Sequence, residues 1–134
     1  MQLATEFKNF TCICCPLGCE LEAAVNEKGE LEELSGYLCA QGKSYAEEES
    51  VAPRRMICAV VCIEGSREPL SVKTASPVPK ERIPAVLSAI RALALKTPIK
   101  AGAVLLADVD GTGVSLLATK TLQKDYWSLR RDTR

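Results

Sequence analysis

The sequence contains no histidine among its 134 residues. Serine–histidine and cysteine–histidine catalysis would therefore need a group from a partner, and any metal site has to be built without imidazole. Only 4% of the residues are aromatic, so the core has to be made of valine, leucine, isoleucine and alanine. These absences leave the seven cysteines as the side chains best suited to redox chemistry or to binding a soft metal.

The chain also lacks net charge and long apolar runs. Basic and acidic residues number 17 each, which gives no electrostatic reason to expect nucleic acid or an anionic membrane as a partner. The longest apolar run, Ile57–Ile63, is far shorter than the ~20 residues of a membrane-spanning helix. Residues 1–10 show no secretory signal. We therefore predict no nucleic-acid partner, no membrane span and a cytoplasmic location, where thiols stay reduced.

The composition changes at about residue 52. Residues 1–52 hold five of the seven cysteines and an acidic run, whereas residues 53–122 hold most of the regular hydrophobic pattern. Pro53 disfavours a helical conformation at the residue before it. We predict a Cys-rich metal or iron–sulfur segment over 1–52, an α+β domain over 53–122 and a tail over 123–134.

Hydrophobic periodicity predicts few but distinct elements. Residues 20–25 and 30–34 alternate as a hairpin, and a short helix is expected to open just after Gly42. In the second half, the pattern predicts a buried strand over 56–63, a returning strand over 69–74 and an amphipathic helix over 80–95. Two further strands are predicted over 103–107 and 114–119. This order favours an α+β fold, in which a mostly antiparallel sheet with one packed helix follows the small Cys-rich segment.

Four cysteines fall within the eight residues 12–19, and a fifth follows at Cys39. Pro16 and Gly18 disfavour regular structure, so this stretch is expected to wrap around a centre. The predicted metal ligands are Cys12, Cys15, Cys19 and Cys39. Four thiolates without imidazole suit either a 4Fe–4S cluster or a closed zinc site. Three ligands on one loop with a distant fourth favour the cluster, and zinc is the alternative.

Other uses of the cysteines stay open. Cys14 lies beside Cys15 and can replace it as a ligand with a modest loop movement. Thiol–disulfide catalysis is disfavoured, because redox Cys-x-x-Cys pairs begin a helix and Pro16 opposes one here. Cys58 and Cys62 share one face of a predicted strand and are interpreted as buried small apolar side chains. No cysteine or histidine is left to complete a second metal site.

The string "VLLADVDGTG", residues 104–113, mimics the Asp-x-Asp-Gly-Thr box of haloacid-dehalogenase-type phosphatases. Too few residues follow it for the lysine and acidic loops of such a site, and the predicted fold is not a doubly wound sheet. We interpret it as a Gly-rich turn between strands, with Asp108 and Asp110 capping backbone N–H groups.

Three stretches of sequence carry a resemblance to known proteins. "CICCPLGCELEAAV", "GYLCAQGKSYA" and "APRR" together resemble the N-terminal 4Fe–4S segment of molybdopterin oxidoreductases such as formate dehydrogenase. From about Phe10 to Lys120, the chain is similar to a family of small bacterial and archaeal proteins described by their Cys-x-x-Cys pairs. Members of that family are commonly encoded beside FAD/NAD(P)-dependent flavoproteins of the glycerol-3-phosphate dehydrogenase type.

The resemblance implies a metal site with flavoprotein partners. It carries over to Cys12, Cys15, Cys19 and Cys39 as ligands. The expected function is a small iron–sulfur electron-transfer accessory subunit of a flavin-dependent oxidoreductase, with a glycerol-3-phosphate dehydrogenase-like partner. The alternative is a zinc-stabilised, non-catalytic binding module. In either case we expect no catalysis by the isolated chain, which shows neither paired acid–base carboxylates nor a nucleotide-binding glycine fingerprint.

Overall fold

A computed structural model describes residues 5–64 and 66–123. The chain divides between Pro53 and Arg54 into two compact units, here called the N-terminal and the C-terminal unit. The predicted tail, apart from Gln123, lies outside the described residues. In the part of the chain that is described, no helix has both the length and the apolar character needed to cross a membrane.

The N-terminal unit is built on a three-stranded antiparallel sheet in the order β1-β2-β3. The strands are β1 (Glu6–Thr11), β2 (Glu20–Val25) and β3 (Leu31–Ser35). Strand β2 is central because it pairs with both other strands. One of its faces is apolar, with Leu21, Ala23 and Val25 buried. Residues 12–19, the cysteine loop, join β1 to β2.

Helix α1 (Ala40–Val51) packs on this sheet. It starts at Ala40, earlier than the predicted opening after Gly42, because the side chain of the N-cap residue Cys39 caps its first turn. Ala46 is fully buried in a small cluster with Leu21 and Cys12. A half-buried aromatic pair, Phe10 and Tyr45, packs against the same cluster edge to face, with ring centroids 6.2 Å apart.

Gly36 allows the chain to pass from β3 to helix α1. Its φ is +86°, and a Cβ placed there would lie 2.0 Å from the carbonyl oxygen of Glu20. No other residue fits this close approach without moving the backbone. The chain therefore leaves β3 right beside the start of β2, which brings Cys39 to the cysteine loop.

The C-terminal unit contains a four-stranded antiparallel sheet in the order β5-β6-β9-β8. Two short strands, β4 (Arg54–Arg55) and β7 (Val78–Pro79), pair with each other as a separate antiparallel sheet. The sheet strands are β5 (Cys58–Val61), β6 (Leu70–Thr74), β8 (Val104–Leu106) and β9 (Leu116–Ala118).

A short 3₁₀ turn (Lys80–Arg82) leads into helix α2 (Ile83–Arg91), which packs on one face of this sheet. Val86 and Ile90 of the helix are buried against Leu70, Val72 and Leu116 of the strands. Burying a side chain of this kind stabilises the fold by about 1.5–3 kcal/mol. The core of the unit is thus aliphatic, as the low aromatic content predicts.

The α+β fold class is confirmed, while several predicted details are wrong. Helix α2 ends at Arg91 rather than Leu95. Asp108 caps a turn, accepting a bond from the Gly113 N–H at 2.8 Å, but Asp110 does not. The Asp110 carboxylate instead lies 2.8 Å from the guanidinium of Arg82, and its backbone adopts φ +53°.

The prediction that Cys58 and Cys62 are buried is wrong. Both thiols are exposed, as is Val60 at 65% between them. Strand β5 is an edge strand. Ile57, which precedes it, and Val61 face the core, whereas Cys58 and Val60 lie on the other face. The run is apolar on both faces, so periodicity alone gave no sign of which residues lie outside.

A buried hydroxyl provides a test of the C-terminal unit. Thr74 is 0% exposed, and its Oγ1 accepts a bond from the Ile57 N–H at 3.1 Å. Thr74→Val keeps the shape but leaves that N–H unpaired, so we expect a loss of about 1–3 kcal/mol of unfolding free energy in urea. The control is Thr119→Val, which removes an exposed hydroxyl and should change stability by less than about 0.5 kcal/mol. Equal midpoints for the two variants would contradict this role of Thr74.

Candidate metal centre

The cysteine loop begins as a continuation of the β1–β2 ladder. Thr11 pairs with Glu20 at the end of the ladder, and the Cys12 N–H then donates to the Cys19 carbonyl at 2.8 Å. Cys12 and Cys19 therefore stand opposite each other at the next register position. Opposite residues of an antiparallel pair point to the same face of the sheet. Both thiols accordingly lie on the side that faces helix α1, where they pack with Leu21.

Cys12 is a core residue as well as a predicted ligand. It is only 4% exposed and belongs to the buried cluster with Leu21 and Ala46. A thiol in such a position behaves as a small apolar side chain. The cluster fixes its position, so one donor of the predicted site is held by packing.

Cys39 is held at the start of helix α1. Its backbone is extended, and its Sγ accepts a bond from the Gly42 N–H at 3.3 Å. The free N–H groups of a helix N-terminus favour negative charge beside them. The sulfur of Cys39 thus occupies a place suited to a thiolate.

Gly42 separates the sulfur atoms of Cys12 and Cys39. A Cβ on Gly42 would lie 3.6 Å from both sulfurs and 3.9 Å from the Cβ of Tyr37. The two thiols therefore face one common point, although they are far apart in sequence. The absent side chain leaves that space open between them.

Cys14 reaches the same first turn of α1. Its Sγ lies 3.9 Å from the Gln41 carbonyl, and its side chain packs against the Cys12 cluster. Partial burial raises the pKa of the Cys14 thiol, and so do a hydrogen bond to Cys12 and the negative charges of Cys12, Cys39 and Cys15. The structure therefore brings several thiols close enough to repel one another when ionised. A bound cation relieves such repulsion.

The predicted ligands are not equally placed. Cys12 and Cys39 flank the position beside Gly42, Cys19 is half-buried beside Cys12, and Cys39 and Cys15 are both exposed. Over residues 5–64 and 66–123, no group of three or more cysteine or carboxylate side chains is already arranged to hold a metal ion. The donor set nevertheless fits a soft metal, because it consists of thiols alone. The ligand assignment stays a prediction.

Sequence reasoning missed two features of this region. The position of Cys14 beside Cys12 is one, and the vicinal cysteine pair was its signal. The other is the exposure of apolar residues next to the cysteines: Ile13 and Leu17 are each 76% exposed and Leu38 is 78% exposed. Exposed apolar groups beside a site are typical of surfaces that meet another molecule.

Comparison with known proteins gives one match. A family model described as "Protein of unknown function (DUF1667)" matches residues 40–120, which is more than half of the chain. The match starts immediately after Cys39, so all five cysteines of the N-terminal unit precede it. No curated protein and no solved structure matches the chain.

Two substitutions at Cys39 distinguish its capping of helix α1 from its predicted role as a metal ligand. Serine is a strong N-cap residue and alanine is a poor one. In chelator-treated protein, we expect Cys39→Ala to lower the stability of α1 by about 1 kcal/mol relative to Cys39→Ser. Hydrogen exchange of the Gly42 amide measures this difference. Equal protection in both variants would mean that the cap seen at 3.3 Å contributes nothing.

Proposed function

We propose, from the premise that this chain belongs to the DUF1667 family, that it is a small iron–sulfur electron-transfer subunit of a flavin-dependent oxidoreductase. One observation supports this above the others. Two cysteine segments, separated by a hairpin in sequence, meet at the first turn of α1, with Cys12 and Cys39 facing a common point. The chain has no histidine, and a site of thiolates alone is the usual setting of an iron–sulfur cluster.

The ligands in this proposal come from both segments. Cys12, Cys19 and Cys39 supply three thiolates, and sequence spacing selects Cys15 from the vicinal pair as the fourth. The sulfurs of Cys14 and Cys39 at present contact the backbone of α1, so binding requires side-chain rotation rather than a change of fold. The Gly42 N–H is placed to donate to the Cys39 sulfur, and hydrogen bonds to ligand sulfurs tune the reduction potential of a cluster.

A bound 4Fe–4S cluster supplies one-electron transfer. Four cysteine thiolates for four irons leave no ligand position for a substrate, which favours electron relay over catalysis by the cluster. Cys12 and Ala46 exclude water from one side of the site, since both are buried. The location in this proposal is the cytoplasm, where thiols stay reduced.

An electron relay needs a donor and an acceptor. We propose an FAD/NAD(P)-dependent flavoprotein of the glycerol-3-phosphate dehydrogenase type as one of them, on the strength of the sequence resemblance. Ile13 and Leu17 on the cysteine loop and Leu38 beside Cys39 are largely exposed. Apolar groups around the cysteines suit a partner that docks there and shortens the distance for electron transfer.

Metal analysis tests the cluster directly. Protein purified without oxygen should contain about four irons and four sulfides per chain and absorb broadly at about 400 nm. Cys12→Ser removes a buried donor and should abolish this signal, whereas Cys62→Ser removes an exposed thiol of the C-terminal unit and should keep it. Stoichiometric zinc without iron, under the same handling, would overturn the iron–sulfur function and favour the zinc-stabilised binding module.

The two units should respond differently to metal removal. Among the described residues, the C-terminal unit has its own aliphatic core of fourteen buried side chains, whereas the cluster beside the cysteines has three. Because metal binding supplies folding energy to a small site, we expect a chelator to raise amide exchange in residues 5–53. Exchange in residues 54–123 should stay unchanged. Loss of protection across both units would contradict this dependence.

A further inference from the structure

We propose that Cys14, rather than Cys15, supplies the fourth thiolate beside Cys12, Cys19 and Cys39. This inference rests on the proposed function, since it concerns the ligands of the same site. Sequence spacing favours Cys15, because a Cys-x2-Cys pair is a familiar metal knuckle. The direction in which each side chain points favours Cys14.

Burial alternates from the end of strand β1 into the first residues of the cysteine loop. Phe10, Cys12 and Cys14 are each half-buried or buried and belong to the cluster packed against α1. The intervening residues, Thr11 and Ile13, are exposed.

Cys15 is less enclosed than Cys14. It is exposed and does not take part in the cluster that contains Cys12, Cys14 and Cys19. Its neighbour Pro16 begins a turn, and Gly18 has φ +61°. This turn carries the chain back towards Cys19.

Cys14 also lies next to the donor from the second segment. Its Sγ is 3.9 Å from the Gln41 carbonyl, and the Gly42 N–H one residue later binds the sulfur of Cys39. Both thiols therefore touch the first turn of α1. Cys12 completes the group, because its sulfur and that of Cys39 are both 3.6 Å from the point beside Gly42.

The register of β1 and β2 places the remaining donor, Cys19, on the same side of the sheet as Cys12. Cys19 stands opposite Cys12 and packs in the same cluster. Cys12, Cys14 and Cys19 thus share one cluster at the junction of the sheet with α1, and the sulfur of Cys39 lies at the first turn of that helix. Cys15 is not part of this cluster.

Two single variants of the full chain decide between Cys14 and Cys15 as the ligand. Cys14→Ser and Cys15→Ser are each reconstituted without oxygen with ferrous iron and sulfide, beside the wild-type chain. We expect Cys15→Ser to take up iron as the wild type does and Cys14→Ser to retain less than about a tenth of it. Full uptake by Cys14→Ser would overturn the inference, whether or not Cys15→Ser also binds.

Thiol alkylation gives a readout that needs no variant. Iodoacetamide is added to the loaded wild-type chain, and the modified cysteines are identified by mass spectrometry. We expect modification at Cys15 and at the exposed Cys58 and Cys62, with Cys14 protected. Protection of Cys15 with modification of Cys14 would overturn the ligand choice and leave the proposed function intact.

Failure of the proposed function has a different signature. A wild-type chain that takes up Zn²⁺ but no iron would overturn the iron–sulfur function, and alkylation of the zinc form would still decide between Cys14 and Cys15. A wild-type chain that binds neither metal would overturn both proposals. Circular dichroism of the metal-free variants controls for folding, because each should give the spectrum of the metal-free wild-type chain.

Discussion

The packing of helix α1 on strand β2 is the interaction on which the candidate site depends. Ala46 is fully buried against Leu21 and Cys12, and its small side chain permits a close approach of helix to sheet. That approach places the first turn of α1 beside the cysteine loop. Gly36 makes the approach possible, because any side chain there would collide with the Glu20 carbonyl. The meeting of two distant cysteine segments is thus a result of ordinary core packing.

The thiols of this junction also stabilise the metal-free protein. Cys12 fills the core, and Cys39 caps the helix. Gly42 has the opposite effect, since a glycine inside a helix costs about 1 kcal/mol relative to alanine. Its lack of a side chain leaves open the space that the sulfurs of Cys12 and Cys39 face. Glycine at position 42 therefore keeps the space between the two thiols open, although alanine would stabilise the helix more.

Most of the C-terminal unit could be predicted from the sequence, because alternation along β6 and helical spacing along α2 each mark one buried face. The same signal failed where both faces of a strand are apolar. Strand β5 is such a strand, and Cys58 and Val60 are exposed because they share a face with Lys73 and Ser71 of β6, opposite the face that helix α2 covers. Strand β1 was missed because most of its residues are polar or exposed, and its pairing with β2 holds it in place.

Prediction from the sequence has a similar limit at the candidate site. The spacing of cysteines measures how far the chain can reach, and the two segments that it selected lie close together at Cys12 and Cys39. It does not measure where each side chain points. The bond from the Cys12 N–H to the Cys19 carbonyl extends the ladder of β1 and β2 by one pair into the loop. Beyond that pair the chain bends, and packing against the cluster leaves Cys14 half-buried, whereas Cys15, the residue selected by spacing, is exposed.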